Sequence, residues 1–150
     1  MLVRDLMQTE VVTLNARDHL DLADSLMRLG RIRHMPVVED GKLVGILSQR
    51  DLFRAGISTV LHLRPSAERE WLAKIPVREV MTAPVITATP NMPVRQAVNL
   101  LLEHKIGCLP VVDRGELVGL VSETDFLRYL ARLLDLWDTK QDLPGLEEPE

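Results

Sequence analysis

Two serine–aspartate pairs recur in the same short motif, and these side chains are the best suited in the chain to bind a small molecule. Ser48 and Asp51 belong to the heptapeptide GILSQRD, and Ser122 and Asp125 belong to GLVSETD. A serine hydroxyl beside a helix N-terminus, where N–H groups are unpaired, suits a phosphate group. A carboxylate one turn into the helix can accept both hydroxyls of a ribose. The motif is therefore compatible with a phosphorylated ribose.

The same spacing also has a purely structural interpretation. Serine followed three residues later by an acidic side chain is the pattern of a capping box, with aspartate in place of the usual glutamate. Gly45 and Gly119 would then only relieve crowding in a strand, whereas beside a ligand they would let a flat base approach the backbone. Taken alone, one such motif indicates a helix cap more often than a ligand site.

Both motifs lie in a tandem repeat with an offset of 74 residues. This offset aligns 3–54 with 77–128 without a gap, and 18 of the 52 aligned positions are identical. Chance does not preserve a register of that length, so the chain contains two copies of one structural unit.

Each copy is predicted to fold as β-α-β-β-α after a short helical lead-in. The hairpin turns are Asp40-Gly41 and Arg114-Gly115, because such pairs between apolar runs favour tight turns. Asn15 or Asp18 could cap the first helix and Gly30 could end it. The remaining predicted elements are strands at 11–13, 35–39 and 42–47, and helices at 49–61, 94–104 and 123–137.

These elements predict an α/β module of two halves. We expect repeat 1 at 1–62, a connecting segment at 63–76, repeat 2 at 77–137 and a flexible acidic tail at 138–150. Ser66 could cap a short helix, 67–74, in the connecting segment. One copy alone buries too little surface to be comfortably stable, so we expect the halves to share a core about a pseudo-twofold axis.

Composition argues against several classes of protein. A single cysteine excludes an internal disulfide and, with no signal-peptide pattern or apolar membrane span, predicts a cytoplasmic protein. The net charge of −4 comes from the segment after Leu134, and the rest of the chain is near neutral. We therefore expect binding neither to nucleic acid, which needs a basic patch, nor to membranes.

No set of residues in the sequence is suited to catalysis. Cys108 has no readable acidic or histidine partner, and the phosphate-binding loop of nucleoside triphosphatases is missing. His104 and Cys108 are four apart, but no third ligand is near, so we expect neither enzymatic activity nor a metal site.

Several matching segments together resemble a pair of CBS domains, the regulatory module named after cystathionine β-synthase. The chain carries VRDLM and VREVM, VVT and VIT, MPVV and LPVV, and the two glycine–serine–aspartate motifs. The resemblance covers nearly all of the chain except 55–76 and the tail.

The resemblance implies a disc-like dimer that binds adenosine-containing ligands, such as AMP, ADP or ATP, in clefts between the repeats. Asp51 and Asp125 would hold the ribose, and Ser48 and Ser122 would face phosphate. The full implied set of nucleotide-binding residues is Thr13, Ile32, Arg33, His34, Met35, Pro36, Ser48, Arg50, Asp51, Thr87, Ile106, Cys108, Pro110, Ser122, Thr124 and Asp125.

The two copies differ in charge just before the proline that they share. Copy 1 has Arg31, Arg33 and His34, where copy 2 has Lys105, Gly107 and Cys108 and so less charge. We therefore expect the cleft with Ser48 and Asp51 to bind phosphate better, although the pseudo-twofold axis leaves open that Arg33 serves the other cleft.

The function predicted from these features is a non-catalytic, homodimeric nucleotide sensor that needs no obligatory cofactor and signals in trans to an unidentified effector protein. The helices after the two motifs would form the dimer face, or alternatively pack within the chain; their apolar residues are Leu52, Phe53, Ile57, Val60, Leu61, Phe126, Leu127, Leu130, Leu133 and Leu134. The main alternative is a structural dimerisation module with empty clefts or another adenosyl ligand, such as S-adenosylmethionine.

Overall fold

The computed structural model describes residues 1–60 and 65–141 of the chain. Two repeats follow one another, each with a helix, a β-hairpin and a second helix, and a short helix lies between them. The elements are β1 (Leu14–Asn15), α1 (Leu20–Gly30), β2 (His34–Glu39), β3 (Lys42–Ser48), α2 (Gln49–Val60), α3 (Pro65–Leu72), α4 (Val94–His104), β4 (Cys108–Asp113), β5 (Glu116–Ser122) and α5 (Glu123–Gln141).

The two hairpins form as predicted. β2 pairs with β3 and β4 with β5, both antiparallel and both with one register shift in the middle. The turn residues Asp40, Gly41, Arg114 and Gly115 all have positive φ, between 50° and 83°. Two consecutive residues of positive φ match the right-handed twist of the flanking strands, which is why Asp-Gly is a strong hairpin signal.

The predicted strand at 11–13 is wrong. β1 lies one residue further on, at Leu14–Asn15, and pairs in parallel with Val37 and Val38 of β2. In repeat 2 the equivalent pairing shrinks to a single bridge between Ala88 and Val111. The apolar residues before β1 are not strand because the chain there is crossing from one repeat to the other.

The predicted signals at both ends of α1 also need correction. Asn15 and Asp18 do not cap the helix: the Asp18 carboxylate accepts from Asn15 N at 2.8 Å, and Asn15 Oδ1 accepts from Arg17 N at 3.0 Å, closing a turn before it. Gly30 is the last helical residue, and the left-handed position is taken by Arg31 at φ 50°. Lys105 has the same role after α4, at φ 52°.

Two other helix boundaries differ from the prediction. α3 begins at Pro65, so Ser66 lies inside its first turn, and it ends at Leu72. α5 continues to Gln141, so residues 138–141, predicted as flexible tail, are helical. Leu61 and residues 142–150 lie outside the described residues.

The repeats exchange their lead-ins, which are the segments 3–7 and 77–81. The core of repeat 1 contains Val77, with Val80 and Met81 packed against it, and the core of repeat 2 contains Val3, with Leu6 and Met7 against it. The predicted single shared core is therefore wrong: there are two cores, and each is completed by the other repeat.

Backbone hydrogen bonds secure this exchange. Gln8 forms two bonds with Leu120 of β5, at 2.8 and 2.9 Å, and Thr82 forms two with Ile46 of β3, at 2.8 and 3.0 Å. Both bonded pairs are related by the 74-residue offset, as a pseudo-twofold arrangement requires. The residue that directly follows each lead-in thus adds a short pairing to the open edge of the other repeat's hairpin.

Candidate functional site

A cavity of about 960 Å³ lies between the two repeats and includes the first serine–aspartate motif. We call it the Asp51 cleft. One side is formed by Arg33, by His34 at the start of β2, and by the junction of β3 and α2, which includes Ser48 and Asp51. The other side is formed by segments 82–86 and 105–108 of repeat 2, together with Glu123.

The first turn of α2 holds Ser48 and Asp51 in place. Ser48 N donates to Asp51 Oδ2 at 2.9 Å, and Asp51 N donates to Ser48 Oγ at 3.0 Å. This is a reciprocal capping box, so the structural interpretation of the motif is correct. Among the described residues, the second carboxylate oxygen of Asp51 has no hydrogen-bond donor, and the half-buried side chain lines the cavity.

The cleft carries more positive than negative side chains. Arg33, Arg50, Arg54 and Lys105 line it, against two carboxylates, those of Asp51 and Glu123. Arg33 thus lies in the cavity that contains Ser48 and Asp51. Such an excess of guanidinium and ammonium groups suits a phosphorylated ligand, because these groups form charge-assisted hydrogen bonds with phosphate.

His34 lies at the junction of the two repeats. A side chain at Gly107 would place its Cβ 2.9 Å from the His34 ring, and Glu123 Oε1 would be 3.4 Å from that Cβ. Burial lowers the pKa of His34 below its ordinary value of 6.5, and the negative charge of Glu123 opposes this effect without overcoming it. His34 is therefore mainly a neutral imidazole at neutral pH.

Cys108, which also lines the cleft, is chemically inert at neutral pH. Its side chain is buried, and burial, followed by the nearby charge of Glu123, raises the pKa of the thiol to about 12. A thiol with so high a pKa contributes negligible thiolate, the nucleophilic form. Among residues 1–60 and 65–141, no three histidine, cysteine or acidic side chains gather in a way that could hold a metal ion.

The second motif has a different environment. Ser122 N and Ser122 Oγ both donate to Asp125 Oδ2, at 2.9 and 3.1 Å. Asp125 Oδ1 accepts from Gln8 Nε2 at 2.9 Å and lies 3.6 Å from the Arg128 guanidinium. Asp125 is only 7% exposed, so both of its oxygens are engaged within the protein.

Several residues of the implied nucleotide-binding set lie elsewhere. Thr13 is exposed and does not line the Asp51 cleft. Thr87 directly follows segment 82–86 in the sequence but is not a lining residue either. Met35 is fully buried in the core of repeat 1 and Ile32 packs against that core. The set does place some residues in the cleft: Arg33, His34, Ser48, Arg50, Asp51, Ile106, Cys108 and Pro110. Pro36, Ser122, Thr124 and Asp125 are not among its lining residues.

The two motif glycines make room for protein and not for a ligand base. A Cβ at Gly45 would overlap the side chain of Met81. At Gly119 it would lie 2.8 Å from the backbone oxygen of Gln8 and 2.9 Å from Met7 Sδ. The expectation that these glycines admit a flat base is therefore wrong, because the exchanged lead-ins fill that space.

Sequence reasoning missed several lining residues of the cleft. On the repeat 2 side these are segment 82–86 and Glu123, and on the repeat 1 side Arg54 of α2. The spacing of Arg50 and Arg54, one helical turn apart, could have indicated a shared basic face. Nothing comparable marks 82–86, because its position depends on the exchange of the lead-ins.

Comparisons with known proteins agree with this architecture. The family model of the CBS domain matches twice, at residues 3–58 and 77–132. The CBS domain-containing protein YhcV of Bacillus subtilis is 36% identical over 123 residues, which are 82% of this chain and 81% of YhcV.

Two solved structures of similar fold contain ligands. The CBS domain pair of protein MJ0100, in complex with 5′-methylthioadenosine and S-adenosyl-L-methionine, superposes with a TM-score of 0.75 at 27% identity, over 89% of this chain and 98% of that one. CBSX2 in complex with AMP superposes with a TM-score of 0.72 at 25% identity, over 89% and 98% of the two chains. The two matched repeats, the exchanged lead-ins and these likenesses lead to one conclusion: the chain belongs to the CBS domain family and forms a CBS domain pair, a regulatory module.

Proposed function

We propose that this CBS pair is a non-catalytic sensor that binds an adenine nucleotide in the Asp51 cleft. The observation that carries the proposal is the composition of that cleft, where Asp51, with a carboxylate oxygen that has no donor among the described residues, lines the same cavity as four cationic side chains. The carboxylate suits the ribose hydroxyls, and the cations suit one or more phosphates. The AMP-bound CBSX2 structure is a precedent for such a ligand in a similar fold.

The volume and the charge of the cleft bear on which adenosyl ligand it favours. About 960 Å³ is at the upper end of the range for small-molecule sites and accommodates a nucleoside di- or triphosphate. S-Adenosylmethionine has a positive sulfonium and no phosphate, so Arg33, Arg50, Arg54 and Lys105 would lie near a cation. We therefore rank AMP, ADP and ATP above S-adenosylmethionine.

The test is isothermal titration of the whole chain with AMP, ADP, ATP and S-adenosylmethionine. Micromolar binding corresponds to about −8 kcal/mol, and the loss of a charged ribose contact in Asp51→Ala should weaken it by roughly 1.5–3 kcal/mol. Asp113→Ala is the matched control, because Asp113 is an exposed aspartate outside the cleft. The absence of heat with every nucleotide, from folded protein, would refute the proposal and favour the structural dimerisation module.

A second comparison tests the role of the cations. Arg50→Ala should weaken ATP more than AMP, because ATP brings more negative charge to the cleft, and Arg132→Ala on the exposed part of α5 should change neither affinity. Equal losses for ATP and AMP in Arg50→Ala would mean that Arg50 does not contact the added phosphates.

Regulation would then follow from the position of the cleft. Its two sides belong to different repeats, so a bound nucleotide favours one relative arrangement of the repeats over others. We propose that a separate effector protein recognises that arrangement. Hydrogen exchange with and without nucleotide should reveal a difference at segment 82–86, and identical exchange profiles at saturation would refute the mechanism.

We also propose that the chain forms a homodimer through one face of α5. Leu127, Leu130, Leu133, Leu134 and Trp137 lie on this face at helical spacing, and each is at least 43% exposed. Leu52 and Phe126, which sequence reasoning assigned to the dimer face, are instead buried or packed against a core, and the side chains of Ile57 and Val60 are outside the described residues. A continuous apolar stripe of this length is typical of protein–protein contacts.

Light scattering after size-exclusion chromatography tests the dimer. Leu130→Glu should convert dimer to monomer, whereas Leu29→Glu, at a site 85% exposed on α1, should leave the dimer intact. A monomeric wild type, or a Leu130→Glu variant that remains dimeric, would refute this use of the α5 face.

No helix among the described residues is long and apolar enough to cross a membrane.

A further inference from the structure

The region around Ser122 and Asp125 that is equivalent by the repeat to the Asp51 cleft is here called the Asp125 cleft. It differs from the Asp51 cleft at a position where the chain crosses between the repeats. Gln8 and Thr82 are 74 residues apart, and each pairs with the strand of the opposite repeat, at Leu120 and Ile46 respectively. Their backbones are thus equivalent, but their side chains are not. A threonine side chain is too short to do in one cleft what glutamine does in the other.

We propose that Gln8 closes the Asp125 cleft to nucleotide, so that each chain has one nucleotide site instead of two. Gln8 Nε2 donates to Asp125 Oδ1 at 2.9 Å, which is the carboxylate oxygen that a ribose would need. The other oxygen already accepts from Ser122 N and Ser122 Oγ. The side-chain amide of Gln8 therefore takes the place of the ribose hydroxyls.

Burial points the same way. Asp125 is 7% exposed, whereas the equivalent Asp51 is half-buried and open to the cleft. A nucleotide that contacts Asp125 would first have to break a charge-assisted hydrogen bond inside the protein.

This inference rests on the proposed nucleotide binding, and reciprocal variants separate the two. Gln8→Thr copies the side chain of the Asp51 cleft into the Asp125 cleft, and Thr82→Gln does the reverse. In titrations with ATP and AMP, the wild type should bind one nucleotide per chain. Gln8→Thr should add a second, weaker event that disappears when Asp125→Ala is combined with it.

Thr82→Gln should weaken binding at the Asp51 cleft by about 10- to 100-fold, which is the effect of a competing charge-assisted hydrogen bond. A ¹⁵N spectrum adds a readout that does not depend on new binding: at saturation, the Gln8 side-chain amide signals of the wild type should keep their positions while the Thr82 backbone amide shifts. The same spectrum checks that each variant is folded.

Each outcome has a definite meaning. Two nucleotides per wild-type chain would overturn the inference while leaving nucleotide binding intact, as would one nucleotide in both wild type and Gln8→Thr. No binding to wild type would refute the proposed function; the inference would still gain support if Gln8→Thr then bound nucleotide, and would be overturned if it did not.

Discussion

The two motif aspartates should differ in their contribution to stability, although they occupy equivalent positions. Asp51→Ala removes one capping hydrogen bond, from Ser48 N, and should cost about 1 kcal/mol of the free energy of unfolding. Asp125→Ala removes the equivalent bond from Ser122 N, removes a second one from Ser122 Oγ, and leaves the Gln8 amide without its charged acceptor. The lost Gln8 bond alone adds about 1.5–3 kcal/mol, so the total is at least about 2.5–4 kcal/mol.

The assay is urea unfolding of the ligand-free protein at one fixed protein concentration. Asp125→Ala should be less stable than Asp51→Ala by roughly 1.5–3 kcal/mol. The ion pair with Arg128 adds little to this difference, because that arginine side chain is 66% exposed and solvent screens it.

A double-mutant cycle isolates the contact that carries the argument. Gln8→Ala, Asp125→Ala and their combination should give a coupling free energy of about 1.5–3 kcal/mol. Equal destabilisation by the two aspartate substitutions, or a coupling free energy near zero, would refute the reasoning that Gln8 and Asp125 stabilise each other.

Three further predictions follow from contacts and pKa shifts. Gly119→Ala should destabilise the protein by about 1–3 kcal/mol, and more than Gly45→Ala, because its Cβ meets backbone and not only a flexible methionine; urea unfolding that ranks them equally would contradict this. Burial lowers the pKa of His34 in the folded protein below 6.5, so as the pH falls the unfolded chain binds this proton before the folded chain does. The contribution of His34 to the free energy of unfolding is therefore full above pH 6.5 and decreases as the pH drops below that value. In unfolding experiments at several pH values, His34→Gln should reduce the pH dependence of the free energy of unfolding. An unchanged pH dependence would mean that other groups cause it. The Cys108 thiol, with a pKa of about 12, should react with a disulfide reagent only when denaturant unfolds the protein, and fast labelling of the native protein would disprove its burial.

The parts of the fold that depend on neighbouring residues could be predicted from the sequence. The hairpin turns at Asp40-Gly41 and Arg114-Gly115 were identified because their conformation is a property of the turn residues themselves. The capping box at Ser48 and Asp51 is local in the same way. The expectation that the Asp51 cleft binds phosphate better stays a prediction, because Arg33 and Gly107, the residues on which it rests, both line that cleft.

The exchange of the lead-ins could not be predicted from the repeat. Val3 and Met7 are identical to Val77 and Met81, and Leu6 and Val80 are both aliphatic. Either lead-in could therefore complete either core with similar side chains, and the sequence favours neither arrangement. The error at the two motif glycines follows from that ambiguity. The role of Gln8 was hidden for the same reason, because its acceptor, Asp125, lies 117 residues away in the other repeat.

The exchanged lead-ins also suggest how such a chain could arise. Two identical subunits with one repeat each could complete each other's cores by exchanging their lead-ins across a true twofold axis. Duplication and fusion of their gene would keep every one of those contacts and need only a connection, which here is the segment with α3. In the single-repeat ancestor both clefts would have been identical by symmetry. Only after fusion could the two equivalent positions come to differ, as glutamine at position 8 and threonine at position 82 do here. Fusion is therefore the event that would allow one cleft to specialise in structure and the other in binding.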